Sequence, residues 1–338
     1  MINIVGDINL TDGFFDTGFG VGSSIKKGNN PFNKICRNKE DLWIGNFEGV
    51  TSNISNKEGV YKSQFIISPK EISHLDHFDY YNVANNHSMQ HGYDSFNKTL
   101  NNLKSFGSEY FGTDKKRSIS FVHQNKKVSI TSFSQHDDGF SESKLYWNNP
   151  SINEISKEYN NVLENDFNIL YIHWGSEFIN RPYNDQKRCA RSYIDMGFDL
   201  IIGMHPHILQ GFEVYRGKHI FYSLGNFVFN MSWEPLKYSA IIKIDFNGEN
   251  IISYDYIRIE EDYFPKVISA NQVPDDFKFE YLNKLLNKDE TNESYYKEVF
   301  VNTKKYQRAN QIKFIRNIFK FNFKTFYNIL MDYFKRRI

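Results

Sequence analysis

Short apolar runs alternate with longer amphipathic ones through about the first two-thirds of the chain. Ile2–Val5 (INIV), Asp41–Gly45 (DLWIG), Gln64–Ile67, Asp79–Val83, Lys127–Phe133, Asn168–Ile172 and Asp199–Ile202 are compact runs rich in branched and aromatic side chains, the signature of strands. Between them, Pro69 opens a helix through His74. Phe96, Leu100 and Leu103 recur at helical spacing within Tyr93–Phe106, and Ile152–Leu163 and Asp185–Met196 are further helices. The region closes on consecutive strands, His219–Tyr222, Tyr238–Phe246 and Ile251–Ile259. Strands alternating with helices and then following one another predict an α/β sandwich. After about Pro265 the texture changes, with NQVPDD and NKDETNES reading as linker, so the chain divides into residues 1–265 and a linker with a helical extension over 266–338.

The polar residues that interrupt this pattern fall at strand ends. Asp7 and Asn9 follow the first strand in VGDIN, and Asn46 and Glu48 follow the second in GNFEG. Asn85, Asn86 and His87 follow Asp79–Val83 in ANNHSMQHG. His173 and Glu177 follow Asn168–Ile172 in IHWGSE, and His205 and His207 follow Asp199–Ile202 in GMHPH. The carboxyl ends of strands in an open α/β sheet share one rim, where ligands bind. Carboxylate, amide and imidazole groups without thiolates suit Mn, Fe, Zn or similar divalent ions. Asp7, Glu48, His173, His205 and His207, with Asn86 as a neutral oxygen donor, could hold two such ions, which would clamp a scissile group and activate water. His87, just outside them, could protonate a leaving group. Each group also has a plainer role: Asp7 as a helix cap, Asn85-Asn86 as turn chemistry, His205 and His207 as surface histidines around Pro206, and Glu177 as a helix-start acid or the partner of a ligating histidine.

GDINL, DLWIGNFEG, ANNHSMQHG, HWGSEF and GMHPHILQGFEVYRGKHIFYSLGNFVF, in this order and spacing over residues 2 to 232, resemble the CapA family of capsule and poly-γ-glutamate biosynthesis proteins. The resemblance implies a four-layer αββα sandwich of the calcineurin-like metallophosphatase class. It implies Asp7 and His207 on a first ion, Glu48 bridging, Asn86, His173 and His205 on a second, and His87 in acid catalysis; Asn9 is a further metal candidate and Glu177 a further catalytic one. Asn9 stands where related phosphoesterases carry a histidine ligand, Glu48 where they carry an aspartate, and Gln90 where many relatives have Asp in NNHxxDxG. Asn46, Asn85, Gln90 and Asn226 are then expected to contact substrate or support the ligands. The implied activity is metal-dependent hydrolysis of a phosphoester, or of an amide in a polyglutamate-like polymer. The alternative is a non-catalytic metal- or polymer-binding component of a capsule assembly.

Composition adds three limits. Hydrophobic residues make 40% of the 338, enough for a substantial core, and a net charge of +1 gives no reason to expect nucleic acid. Cys36 and Cys189 are too few for a thiolate metal cluster or a disulfide framework. MINIVGDINL enters a strand at once, and no apolar run reaches the roughly 18 residues of a spanning helix, so the expectation is a cytoplasmic protein, at most peripheral on a membrane.

Charge is uneven, however. From Asn302 onward Lys and Arg recur (Lys304 through Arg337) against a single acid, Asp332. Ile312, Ile315, Phe319, Phe323, Phe326, Leu330 and Phe334 repeat at three- and four-residue steps among them, the pattern of a basic amphipathic helix. That helix could pack on the protein's own sandwich, bind an anionic polymer or capsule-synthesis proteins, or lie on an anionic membrane. GFGVGSS (Gly18–Ser24) matches no nucleotide-binding fingerprint and reads as a loop over the rim, and Ser223 in YSLGN reads as structural.

Overall fold

The computed structural model describes residues 1–139, 143–248, 251–261 and 263–335. Arg336 and Arg337, and the side chains of Leu330, Asp332, Phe334 and Lys335, lie outside the described residues. The first strands are β1 (Ile2–Ile8), β2 (Leu42–Phe47), β3 (Val50–Thr51), β4 (Ile66–Ile67), β5 (Tyr80–Asn82), β6 (Glu109–Phe111), β7 (Ser118–His123) and β8 (Lys126–Ser134). They continue as β9 (Phe167–His173), β10 (Leu200–Met204), β11 (Phe212–Tyr215), β12 (Lys218–Phe221), β13 (Asn226–Val228), β14 (Tyr238–Ile244), β15 (Ile252–Ile259) and β16 (Pro265–Ile268). The helices are α1 (Val21–Lys26), α2 (Pro69–Ile72), α3 (Tyr93–Ser105), α4 (Ile152–Val162), α5 (Asn184–Met196), α6 (Phe279–Leu285), α7 (Asn292–Arg316) and α8 (Phe323–Lys335).

One sheet runs β16-β15-β14-β1-β2-β5-β6, with β13 beside β1; the other runs β11-β12-β10-β9-β8-β7. Strand alternation sorts their side chains into three apolar layers. Ile2, Ile4 and Ile44 of the first sheet meet Ile130, Ile169, Tyr171 and Ile202 of the second. On the outer face of the first sheet, Val5, Trp43 and Tyr81 pack on Ile25, Ile72, Phe96 and Leu103 of α1, α2 and α3. On the outer face of the second, Leu170, Ile172 and Ile201 pack on Ile155, Tyr159 and Ile194 of α4 and α5. The protein is therefore a four-layer αββα sandwich. β1, β2, β5 and β6 are parallel, as are β8, β9, β10 and β12, so the carboxyl ends within each set lie at one edge.

Several elements depart from the sequence pattern. The strand expected at Gln64–Ile67 keeps only Ile66–Ile67, because Phe65 takes a left-handed backbone (φ 50°) that turns its ring onto His87. The helix from Pro69 stops at Ile72. Sequence past Pro265 is not all linker: β16 extends the first sheet, and Phe279 and Leu282 of α6 are buried in the inter-sheet layer. The single basic helix is two. Asn317 closes α7, its side chain donating to the Lys313 carbonyl, and α8 begins after Asn322, whose Oδ1 accepts from the Lys324 N–H. α7 is fastened to the body by Arg181, which is 2% exposed and bridges Glu290 and Glu298 at 2.6 and 2.8 Å. Gly18–Ser24 passes into α1 and lies against Lys320 and Asn322. Among the described residues, no helix is long and apolar enough to cross a membrane.

Candidate metal centre

Two glycines let the strands deliver their ends. A Cβ on Gly6 would collide with the Gly225 carbonyl, and one on Gly203 with the Tyr222 carbonyl and the Trp174 ring. β1 shifts register between Ile4 and Asp7, which re-aims the carboxylate. Asn46 is in phase with Ile44, and His173 with Ile169 and Tyr171, so both side chains project into the space between the sheets.

A chain of amides holds Asp7 there. Asn82 and Asn85 donate to Asn46 Oδ1 at 2.8 and 3.0 Å, and Asn46 donates to Asp7 Oδ1 at 2.8 Å. The other carboxylate oxygen of Asp7 takes the His205 N–H at 3.2 Å and faces His207 Nδ1 at 3.3 Å. His207 Nδ1 also meets Asn226 Oδ1 at 2.9 Å. With acceptors on both sides, Nδ1 carries the proton and Nε2 is left for a ligand. That Nε2 lies 3.6 Å from Glu48 Oε1 and 3.8 Å from Glu177 Oε1.

His173 Nε2 is 2.9 Å from Asn86 Oδ1 and 3.1 Å from His205 Nδ1. Atoms about 2.1 Å from one ion stand roughly 3 Å apart, so this trio has the spacing of a shared coordination sphere. Two further sets each bring three ligand atoms within 4.8 Å of one another: Asp7, Glu48 and His173, and Glu177, His205 and His207. His205 and His207 both hold positive φ (94° and 59°), backbone strain concentrated where the ligands converge.

Glu48 supplies the test of whether a cation fits. It is fully buried, and its Oε1 has no hydrogen-bond partner. Burial, followed by the charge of Asp7, pushes its carboxyl well above the usual range. Next to it His207 is pushed up to about 10: burial opposes the charge, but Glu48 and Asp7 outweigh it. A buried carboxyl oxygen that makes no hydrogen bond, with imidazole nitrogens no nearer than 3.6 Å, is costly to ionise unless a cation completes it. The cluster is thus built to attract positive charge.

His87 Nδ1 donates to Gln90 Oε1 at 2.8 Å, leaving Nε2 facing Glu48 Oε1 at 3.6 Å. Burial lowers its pKa to about 4, so the ring is neutral at pH 7. Phe65 covers it, ring centroids 4.3 Å apart. His91 is spoken for elsewhere, between Ser55 Oγ and the Gln64 carbonyl.

One expected placement differs. Asn9 spends its amide on the backbone and its neighbour: Oδ1 accepts from the N–H and hydroxyl of Thr11, and Nδ2 donates to the Glu48 carbonyl at 2.6 Å. It braces the loop that carries Glu48. Glu177, a catalytic candidate that could also partner a ligating histidine, stands with His205 and His207 because the turn after β9 aims it there. Asn82 and His136 escaped the sequence reading. His136 stacks on His205 at 3.7 Å and donates to the Gly175 carbonyl at 2.7 Å. It follows β8, so the strand-end rule extended to that strand would have found it.

A pocket of about 180 Å³ adjoins the centre, sharing Phe65 and, through Phe229, the ring that packs on His207 at 4.8 Å. A wider cleft of about 910 Å³ between α1 and the end of α7 takes none of the strand-end groups.

Residues 1–231 match the family described as bacterial capsule synthesis protein PGA_cap. The PGA biosynthesis protein CapA of Bacillus subtilis is 33% identical over 220 residues, 60% of this chain and 57% of that protein. The capsule biosynthesis protein CapA of Bacillus anthracis is 32% identical over 208 residues, 57% of this chain and 51% of that one. The chain thus matches somewhat over half the length of these relatives. Among solved structures, one described as a novel phosphatase from Mycoplasma pneumoniae superposes with a TM-score of 0.45 at 13% identity, covering 76% of this chain and 92% of that one.

Proposed function

The chain belongs to the PGA_cap family of bacterial capsule synthesis proteins, and from that premise we propose that it is a metal-dependent hydrolase acting in the biosynthesis of a capsule or similar surface polymer. The observation that carries the reading is the buried Glu48 oxygen, which makes no hydrogen bond amid converging imidazole and carboxylate ligands. Asp7, Glu48, Asn86, His173, His205 and His207 would hold two divalent ions, with Glu177 beside the last two. Such ions supply Lewis-acid polarisation of the scissile group and acidify water.

The chain's own residues do the rest. The amide ladder from Asn82 through Asn46 fixes Asp7, and Asn226 fixes the His207 tautomer. Gln90 keeps the proton on His87 Nδ1, so a proton taken up at Nε2 is the one available to a leaving oxygen. An anionic substrate would favour the protonated form of His87 over its resting state, in which burial depresses the pKa to about 4. A phosphoester is the bond this arrangement suits first, and an amide of a polyglutamate-like chain the second. The non-catalytic assembly reading is favoured by one observation, the engagement of Asn9 away from the ligands.

Hydrolysis of a generic aryl phosphomonoester and phosphodiester, alongside metal analysis, tests the proposal. Turnover that needs metal and falls about 10²–10⁴-fold in His87→Ala with metal content unchanged supports it. Bound metal without turnover of esters or polyglutamate favours assembly.

A further inference from the structure

We propose that the junction of α7 and α8 is a docking edge for an anionic lipid bilayer. The apolar stripe of this segment divides into two faces. Phe314 and Phe321 turn inward and pack edge-on against Phe19, with ring centroids 5.9 and 5.4 Å away, and Phe326 packs on Phe321. The Asn322 N–H bonds the Thr17 carbonyl at 3.0 Å, so the junction is held to the body on that side. The other face is left in water: Ile315 is 71% exposed, Phe323 81% and Phe319 fully exposed. Large apolar side chains presented together on a segment that is otherwise fixed mark an interaction surface.

Charge chooses the occupant. Arg316, Lys320 and Lys324 alternate with these side chains and are exposed, and from Asn302 to Met331 the sequence contains no acid. Cations flanking inserted Phe and Ile suit an anionic membrane, where the apolar groups enter the acyl boundary and the ammonium groups stay at the phosphates. Branched aliphatics such as Ile315 and Ile318 favour insertion over the base stacking that single-stranded nucleic acid would require. The edge needs no spanning helix, and it operates whether or not the metal centre is catalytic.

Cosedimentation of the full chain with phosphatidylcholine vesicles, with and without phosphatidylglycerol, tests this. The protein is expected to pellet with the anionic vesicles and not the neutral ones. Phe319→Glu/Phe323→Glu should lower the bound fraction at least tenfold, with melting temperature unchanged because both side chains are exposed. Equal pelleting of the variant, or none of the wild type, overturns the proposal. So would concentration-dependent dimerisation, or oligonucleotide binding, abolished by the same pair of substitutions in a protein indifferent to vesicles.

Discussion

Glu48 concentrates the energetics of the centre in one side chain. Without a bound ion, its carboxyl is buried next to Asp7 and held well above the usual range, and a neutral amide in its place escapes the desolvation and repulsion that ionising it costs. Glu48→Gln is therefore expected to raise the melting temperature of chelated protein and to abolish most of the stabilisation that added Mn²⁺ gives the wild type. Calorimetric melts with and without metal check both signs. Gln90 offers a second test. A carboxylate in its place would hold an anion against His87 Nδ1 and favour the imidazolium. Gln90→Glu should move the pH–rate limb that depends on protonated His87 upward by about one unit or more, while metal content stays the same.

Elements were legible where an apolar run ended in a polar group. INIV followed by Asp7, and NILYI followed by His173, could be read because a continuously buried apolar run ends abruptly in a buried polar group. The turns beyond were not legible. Whether Asn9 turns toward an ion or back to Thr11, and where Glu177 points, depends on loop backbone that no period encodes. Short partners such as β13, three residues beside β1, carry too little pattern to announce a strand. The seat of α7 was equally hidden, since it rests on Arg181 reaching Glu290 and Glu298 across more than a hundred residues. Arg181→Ala should cost about 1–3 kcal/mol, because it leaves Glu290 and Glu298 only Lys288 at 3.8 and 3.7 Å, and amide exchange over residues 292–302 should accelerate ahead of the strands. The turn before β5 carries a pH signature. His77 is stacked on Phe106 and donates to the Ile72 carbonyl, and burial holds its pKa at about 4. An unfolded histidine titrates near 6.5, so between those values the unfolded chain binds more protons and stability falls with acidification. Between pH 7 and pH 5 the wild type should lose roughly 1–2 kcal/mol more than His77→Gln, measured by urea unfolding at each pH.

On the scale of the whole molecule, two sheets with parallel cores bring their carboxyl ends to one edge, and the chain uses that edge for nearly all its unusual polar groups. The family match ends at residue 231, yet later segments close the same body: β14 borders β1 and β15 borders β14, α6 plugs the inter-sheet layer, and Tyr306 of α7 stacks on Phe178 at 4.4 Å beside His207. The layered fold and the convergence of strand ends therefore belong to one design, in which a dry, amide-braced cluster waits for positive charge. Calorimetric titration of chelator-treated protein with Mn²⁺ tests that most directly. Two ions bound per chain in the wild type, with the first lost in Asp7→Asn, is the expected result; no binding by a folded wild-type protein would contradict it.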